Sequence, residues 1–176
     1  MAERLVRSRR IYDGRVISLR VDEVALPSGR TATREIVEHR GAVAVVPLTP
    51  HGDVLLVRQY RAATGGTLLE IPAGTLEVGE DAPHALQREL AEEIGMRAGR
   101  VQHLATFYPS PGFLTEVVYV YLAADLTPHR LEAEEEDLEV VRLPLPEARA
   151  MVDRGEIRDA KSIIGLLLAG DVIAGT

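Results

Sequence analysis

Residues 88–95, RELAEEIG, set the carboxylates of Glu89, Glu92 and Glu93 within about one and a half helical turns. Glutamates three or four apart on a helix repel by roughly 0.2–0.5 kcal/mol per pair, so this spacing calls for full solvation or for a cation. At about 100° per residue, Glu93 lies near +40° and Glu92 near −60° from Glu89, one acidic arc of roughly 100°. Leu86, Leu90 and Ile94 fall near +60°, +100° and +140°, an apolar stripe beside that arc which can face a core. Asp81 is placed to cap this helix, Pro83 stands in its first turn, and Gly95 can stop it. Taken alone, the helix reads as a solvated face, with Arg88 paired to Glu92 and Arg97 to Glu93.

The preceding loop overturns that reading. Gly74, Glu80, Arg88, Glu89, Leu90, Glu92, Glu93, Gly95 and Met96 stand in the frame G-x5-E-x7-R-E-U-x-E-E-x-G-U, where U is a bulky aliphatic. At about 7% usage per fixed residue, the frame arises by chance on the order of 10⁻⁷ per chain. It is the Nudix box without a departure, and over nearly its whole length the chain resembles a Nudix hydrolase. The resemblance implies an α/β fold, an α/β/α sandwich of mixed sheet with flanking helices. It also implies hydrolysis of a nucleoside diphosphate linked to another group, with Mg²⁺ or Mn²⁺, two or more ions per site. By the same similarity Glu89, Glu92 and Glu93 and the carbonyl of Ala73 are metal ligands, with Glu92 and Glu93 counted in the catalytic set. Glu80 and Arg88 form a structural ion pair, and Gly74 permits a backbone turn that a side chain would hinder. Oxygen donors suit such hard cations, and cations can neutralise a diphosphate under attack by water.

A second stretch narrows the substrate. SPGFLTE, Ser110–Glu116, places Pro111 fifteen residues beyond Met96, a spacing that resembles the ADP-ribose pyrophosphatase subfamily, as do EIPAG and DAKSIIGLL. The implied reaction converts ADP-ribose and water to AMP and ribose 5-phosphate; enzymes for GDP-mannose or NADH are the alternative, and a non-hydrolytic ADP-ribose-binding module is the other. In the resembling enzymes an acidic loop supplies a base and a further ligand; on EAEEED these are Glu134 and Glu136, with Glu135 the competitor for the base. Arg34, in TREIVEH, and Arg61, in VRQYR, match positions that contact diphosphate or adenine; Arg58, in the same VRQYR stretch, is a further substrate-binding candidate, and Pro111, Gly112 and Glu116 complete the expected substrate contacts. With no tryptophan in the chain, Tyr12 is the candidate to stack on adenine. Members of the group are typically homodimers that exchange N-terminal strands.

Composition sets the outer bounds. The chain has 176 residues, no cysteine and a formal net charge of −7, which excludes disulfides, thiolate metal sites and general nucleic-acid affinity. No run approaches the roughly 18 apolar residues of a membrane span, and a soluble cytoplasmic protein is expected. A net-negative protein must hold an anionic substrate with local arginines or bound cations. One domain, 1–176, is expected, with N-terminal strands in 1–40 serving dimerisation and a catalytic core in 41–176. Alternation in RVISLRVDEVAL and the short apolar runs AVAVVPL and DVLLVRQY predict strands. Further strands are expected at TATREIVEH, LLEIPAG, VQHLATFY, EVVYVYLAADL and LEVVRLPL, and helices at PEARAMVDRG and DAKSIIGLLLAGDVI.

Overall fold

The computed structural model describes residues 2–131 and 138–174, so Glu134, Glu135 and Glu136 lie outside the described residues. These residues form two compact units. The first, residues 1–41 and 108–117, is an antiparallel meander of β1 (Arg4–Asp13), β2 (Ile17–Ala25) and β3 (Thr31–His39). Gly29, at φ +83°, supplies the left-handed residue of the β2–β3 turn. The 108–117 segment is tied to β3 by Val37 N–H donating to the Phe113 carbonyl (2.8 Å) and Thr115 N–H donating to the Val37 carbonyl (3.0 Å). Every residue of β1 is exposed, including Leu5, Val6, Ile11 and Tyr12.

The second unit, residues 42–107 and 118–176, holds two sheets. One runs β7 (Ala73–Thr75), β4 (Ala42–Pro47), β9 (Val118–Pro128), β8 (Met96–Phe107), with β4 and β9 parallel and the other pairs antiparallel. The other runs β10 (Glu139–Pro144), β5 (Asp53–Arg61), β6 (Gly66–Glu70). Helices α1 (Ala82–Glu93), α2 (Leu145–Asp153) and α3 (Ala160–Ala174) flank them.

Parity along the strands builds the layers. Successive side chains of a strand point to opposite faces, and both faces of AVAVVP are apolar. Val43 and Val45 pack with Leu86, Leu90 and Ile94 of α1, whereas Ala44 and Val46 pack with Leu166 and Ala169 of α3. β5 divides the same way, Leu55 and Val57 to the α1 side and Val54 and Leu56 to the α3 side. The fold of this unit is therefore mixed α/β, a mixed sheet between helices. Leu86 and Leu90 are fully buried, each worth about 1.5–3 kcal/mol relative to exposure. A Cβ at Gly165 would meet Ile71 at 2.9 Å and Val46 at 3.0 Å, so glycine lets α3 lie directly on the sheet. No helix among the described residues is long and apolar enough to cross a membrane.

One expected strand is two. LLEIPAG divides into β6 and β7 at Ile71–Pro72, because proline has no N–H for the ladder. The Pro72 carbonyl instead accepts from Val45 N–H at 2.9 Å, which brings Ala73 and Gly74 alongside β4.

Candidate active site

Helix α1 begins where Asp81 accepts from His84 N–H at 3.0 Å, with proline in the first turn. It ends at Gly95, whose φ of +67° a side chain would resist. Its rotation is set by Gln87, which donates to the Ala98 carbonyl and accepts from Ala98 N–H, both at 3.0 Å. With the apolar stripe in the core, Glu89, Glu92 and Glu93 turn toward the loop that precedes the helix.

Arg88 organises that loop. Its Nε and Nη2 donate to Glu80 Oε1 (3.0 Å) and Oε2 (2.9 Å), and Nη2 also reaches the Thr75 carbonyl at 3.3 Å. Glu80 in turn accepts from Glu77 N–H at 2.9 Å. This paired geometry fits a guanidinium fork to a carboxylate, and the Arg88 hydrogen bonds hold the Glu80 carboxyl below its ordinary value. The Nη1 edge of Arg88 donates to Glu89 Oε1 (2.7 Å) and Glu92 Oε2 (3.0 Å). Glu93 Oε2 accepts from Ala73 N–H at 3.0 Å, so this carboxylate is moored to the backbone beside the Ala73 carbonyl.

Glu89 is 7% exposed. Burial raises its carboxyl to about 7; Arg88 opposes the shift, and the neighbouring Glu92 and Glu80 add to it. The carboxylate presses on Gly74, where a Cβ would stand 1.7 Å from Oε1 and 2.0 Å from Cδ. Gly74 is therefore explained differently from the sequence-based expectation: it sits in β7 with no left-handed backbone, and glycine serves to admit the Glu89 carboxylate.

Among the described residues no group of three Asp, Glu or His side chains is gathered closely enough to hold a metal ion. The Arg88 guanidinium stands between Glu89 and Glu92, supplying the positive charge that their proximity demands. In donor chemistry the residues fit a hard divalent cation: three carboxylates and a backbone carbonyl, all oxygen, with Gly74 leaving the space that the Glu89 carboxylate occupies.

The structure gathers Ala73, Gly74, Glu80, Arg88, Glu89, Glu92, Glu93 and Gly95 in one segment that runs from β7 through a loop and α1 to the turn after it. Arg58 and Arg61 occupy opposite faces of β5. Arg58 is exposed and paired to Glu139 at 2.8 Å, while Arg61 turns inward and donates to both oxygens of Glu70, Nε to Oε1 at 3.0 Å and Nη2 to Oε2 at 2.8 Å. In the other unit Arg34 is paired to Glu3 and donates to the Thr33 carbonyl at 2.9 Å. Tyr12 is exposed, its ring lying over Gly14. Pro111 and Gly112 are exposed, and Glu116 lies 3.6 Å from His39. Sequence reasoning missed Glu70, Asp159, Lys161 and Ser162, a largely buried polar cluster in which EIPAG meets DAKSIIGLL through Lys161 on Glu70 and Ser162 on Ile71; the separation of the two stretches along the chain leaves no local signal of it.

Comparison with known proteins agrees with the box. A NUDIX domain model matches residues 38–164, and a nucleoside diphosphate sugar hydrolase N-terminal domain model matches residues 3–37. An ADP-ribose pyrophosphatase of Bacillus subtilis (strain 168) is 41% identical over 165 residues, 92% of this chain and 89% of that protein. An ADP-ribose pyrophosphatase of Mycobacterium tuberculosis (strain ATCC 25618 / H37Rv) is 41% identical over 174 residues, 97% of this chain and 84% of that protein. A crystal structure of an ADP compounds hydrolase shares the fold with a TM-score of 0.89 at 23% identity, covering 99% of this chain and 96% of that one. Motif, fold and relatives agree: the chain belongs to the NUDIX family.

Proposed function

We propose that this chain hydrolyses the diphosphate of ADP-ribose to AMP and ribose 5-phosphate with Mg²⁺ or Mn²⁺. The observation that carries the reading is the box geometry itself: Glu89 buried against Gly74 and Glu93 moored at Ala73, acidic groups crowded beside a single guanidinium. The two relatives named ADP-ribose pyrophosphatase, each spanning more than nine-tenths of the chain, support the choice of substrate.

Glu89, Glu92, Glu93 and the Ala73 carbonyl would hold the cations. When bound, divalent cations neutralise diphosphate oxygens and lower the pKa of attacking water. The chain's own part is positional. Arg88 and Glu80 hold the loop against α1, and Ala73 N–H fixes the Glu93 carboxylate. Arg61, locked by Glu70, offers a guanidinium to the diphosphate. Glu134 is the base that takes the proton from water and Glu136 a further ligand, on the acidic segment outside the described residues; Arg34, Tyr12, Pro111, Gly112 and Glu116 serve the rest of the substrate. The exposed apolar residues of β1 support a homodimer with exchanged N-terminal strands.

Turnover assays with ADP-ribose, GDP-mannose, NADH and nucleoside triphosphates test the reading. ADP-ribose is expected to have the highest kcat/KM, with activity abolished by chelator and restored by Mg²⁺ or Mn²⁺. Glu93→Gln is expected to lose nearly all turnover while remaining folded by circular dichroism. A higher kcat/KM for any other substrate, or unimpaired E93Q, refutes the assignment.

A further inference from the structure

The chain contains nineteen arginines and a single lysine, Lys161. That lysine stands at the start of α3, mostly buried, with its ammonium against Glu70 Oε2 and 2.8 Å from Asp159 Oδ2. Glu70 is 1% exposed, and its other cation is Arg61, held through Nε and Nη2. Four side chains thus alternate in sign: Arg61, Glu70, Lys161, Asp159. The same helix start holds the next residue of the chain, since Ser162 Oγ accepts the buried Ile71 N–H at 2.8 Å. Residues 70 and 71 lead directly through Pro72 to Ala73 and Gly74.

The four charges sum to zero, so what Lys161 adds is geometry. Glu70 is held from two sides, by the Arg61 fork on one and by the ammonium on the other. Asp159 fixes the ammonium in turn and caps α3. A compact ammonium can meet two carboxylates from different directions, whereas a planar guanidinium presents its donors as a fixed fork. That difference accounts for lysine at this one position in an arginine-rich chain.

We propose that Lys161 is a positioning residue for the diphosphate site: through Glu70 it fixes the plane of the Arg61 guanidinium. The inference rests on the reading above, in which Arg61 meets the diphosphate.

Because the lysine is unique, its ammonium can be observed alone. In protein labelled with ¹⁵N-lysine the Nζ resonance is a single signal, and a non-hydrolysable methylene analogue of ADP-ribose with Mg²⁺ is expected to shift it. Lys161→Met is expected to raise KM for ADP-ribose roughly tenfold, the scale of one charged hydrogen bond, with kcat within about threefold of wild type. Asp159→Asn, which removes negative charge from the far side of the lysine, is expected not to raise KM. An immobile Nζ signal, an unchanged KM in K161M, or a KM rise of equal size in D159N overturns the proposal, as does K161M unfolding at the assay temperature while D159N stays folded. Wild-type protein without ADP-ribose turnover sinks the proposed function instead, and an immobile Nζ signal in that protein sinks this inference with it.

Discussion

Gly74→Ala is the sharpest test of the site's geometry. Gly74 has no left-handed backbone, so alanine there carries no φ penalty. The entire effect must come from the added methyl, which would stand 1.7 Å from Glu89 Oε1, 2.0 Å from Cδ and 2.5 Å from Oε2. Real contacts do not fall below 3.0 Å, so the carboxylate must withdraw by at least about 1.3 Å. The displaced atoms are the far end of a flexible side chain, and the fold can absorb the move for roughly 1 kcal/mol or less. Function cannot, because a misplacement near 1 Å costs on the order of 100-fold in rate, about 2.7 kcal/mol of transition-state stabilisation. Steady-state kinetics should therefore show kcat/KM down about 100-fold, while the thermal midpoint moves by a few degrees at most. Mn²⁺ binding measured by electron paramagnetic resonance should weaken in parallel. Activity within threefold of wild type would refute the claim that Gly74 exists to admit Glu89. So would a protein that fails to fold, since that places the cost in the backbone.

Ser162→Ala removes the hydroxyl that accepts the Ile71 N–H in a fully buried position, and should cost about 1–3 kcal/mol. Urea unfolding measures it, and a loss below about 0.5 kcal/mol would mean that water replaces the hydroxyl. The Glu70 carboxyl supplies a pH signature. Burial would raise its pKa, but the hydrogen bonds and charges of Arg61 and Lys161 outweigh burial and hold it below the ordinary 4.5. A depressed folded-state pKa gives stability that is fully present above the unfolded value and lost as pH falls through the folded one. The stability gap between wild type and Glu70→Gln should thus be constant from about pH 7 to about pH 5 and shrink below about pH 4.5. A gap that shrinks above about pH 5, or that does not shrink at all as the pH falls below about 4.5, contradicts the pairing.

What could be read from the sequence, and what could not, follows from the range of the interactions. Helix α1 was legible because its cap, stripe and stop lie within fifteen residues, and the box frame fixes the carboxylates relative to Gly74 by counting alone. β4 was legible as a buried strand, and its apolar character on both faces already implied helices on both sides. The opposite facing of Arg58 and Arg61 was available from strand parity, since their positions differ by an odd number. The division of LLEIPAG was likewise available from Pro72.

The Glu70 cluster lies on the far side of this boundary. Its members are 91 residues apart, and nothing in either local pattern says that α3 will begin over the end of β6. Only the packed sheet, with Gly165 letting α3 close on Ile71 and Val46, brings them together. Yet the composition held a trace of it. A chain that uses arginine nineteen times and lysine once has one basic position where a fork does not serve, and such a position is one enclosed by acceptors on several sides. Rarity of a residue type in an otherwise uniform set thus points to a tertiary constraint that periodicity cannot reach, and here it falls on the residue that links α3 to the loop bearing the box.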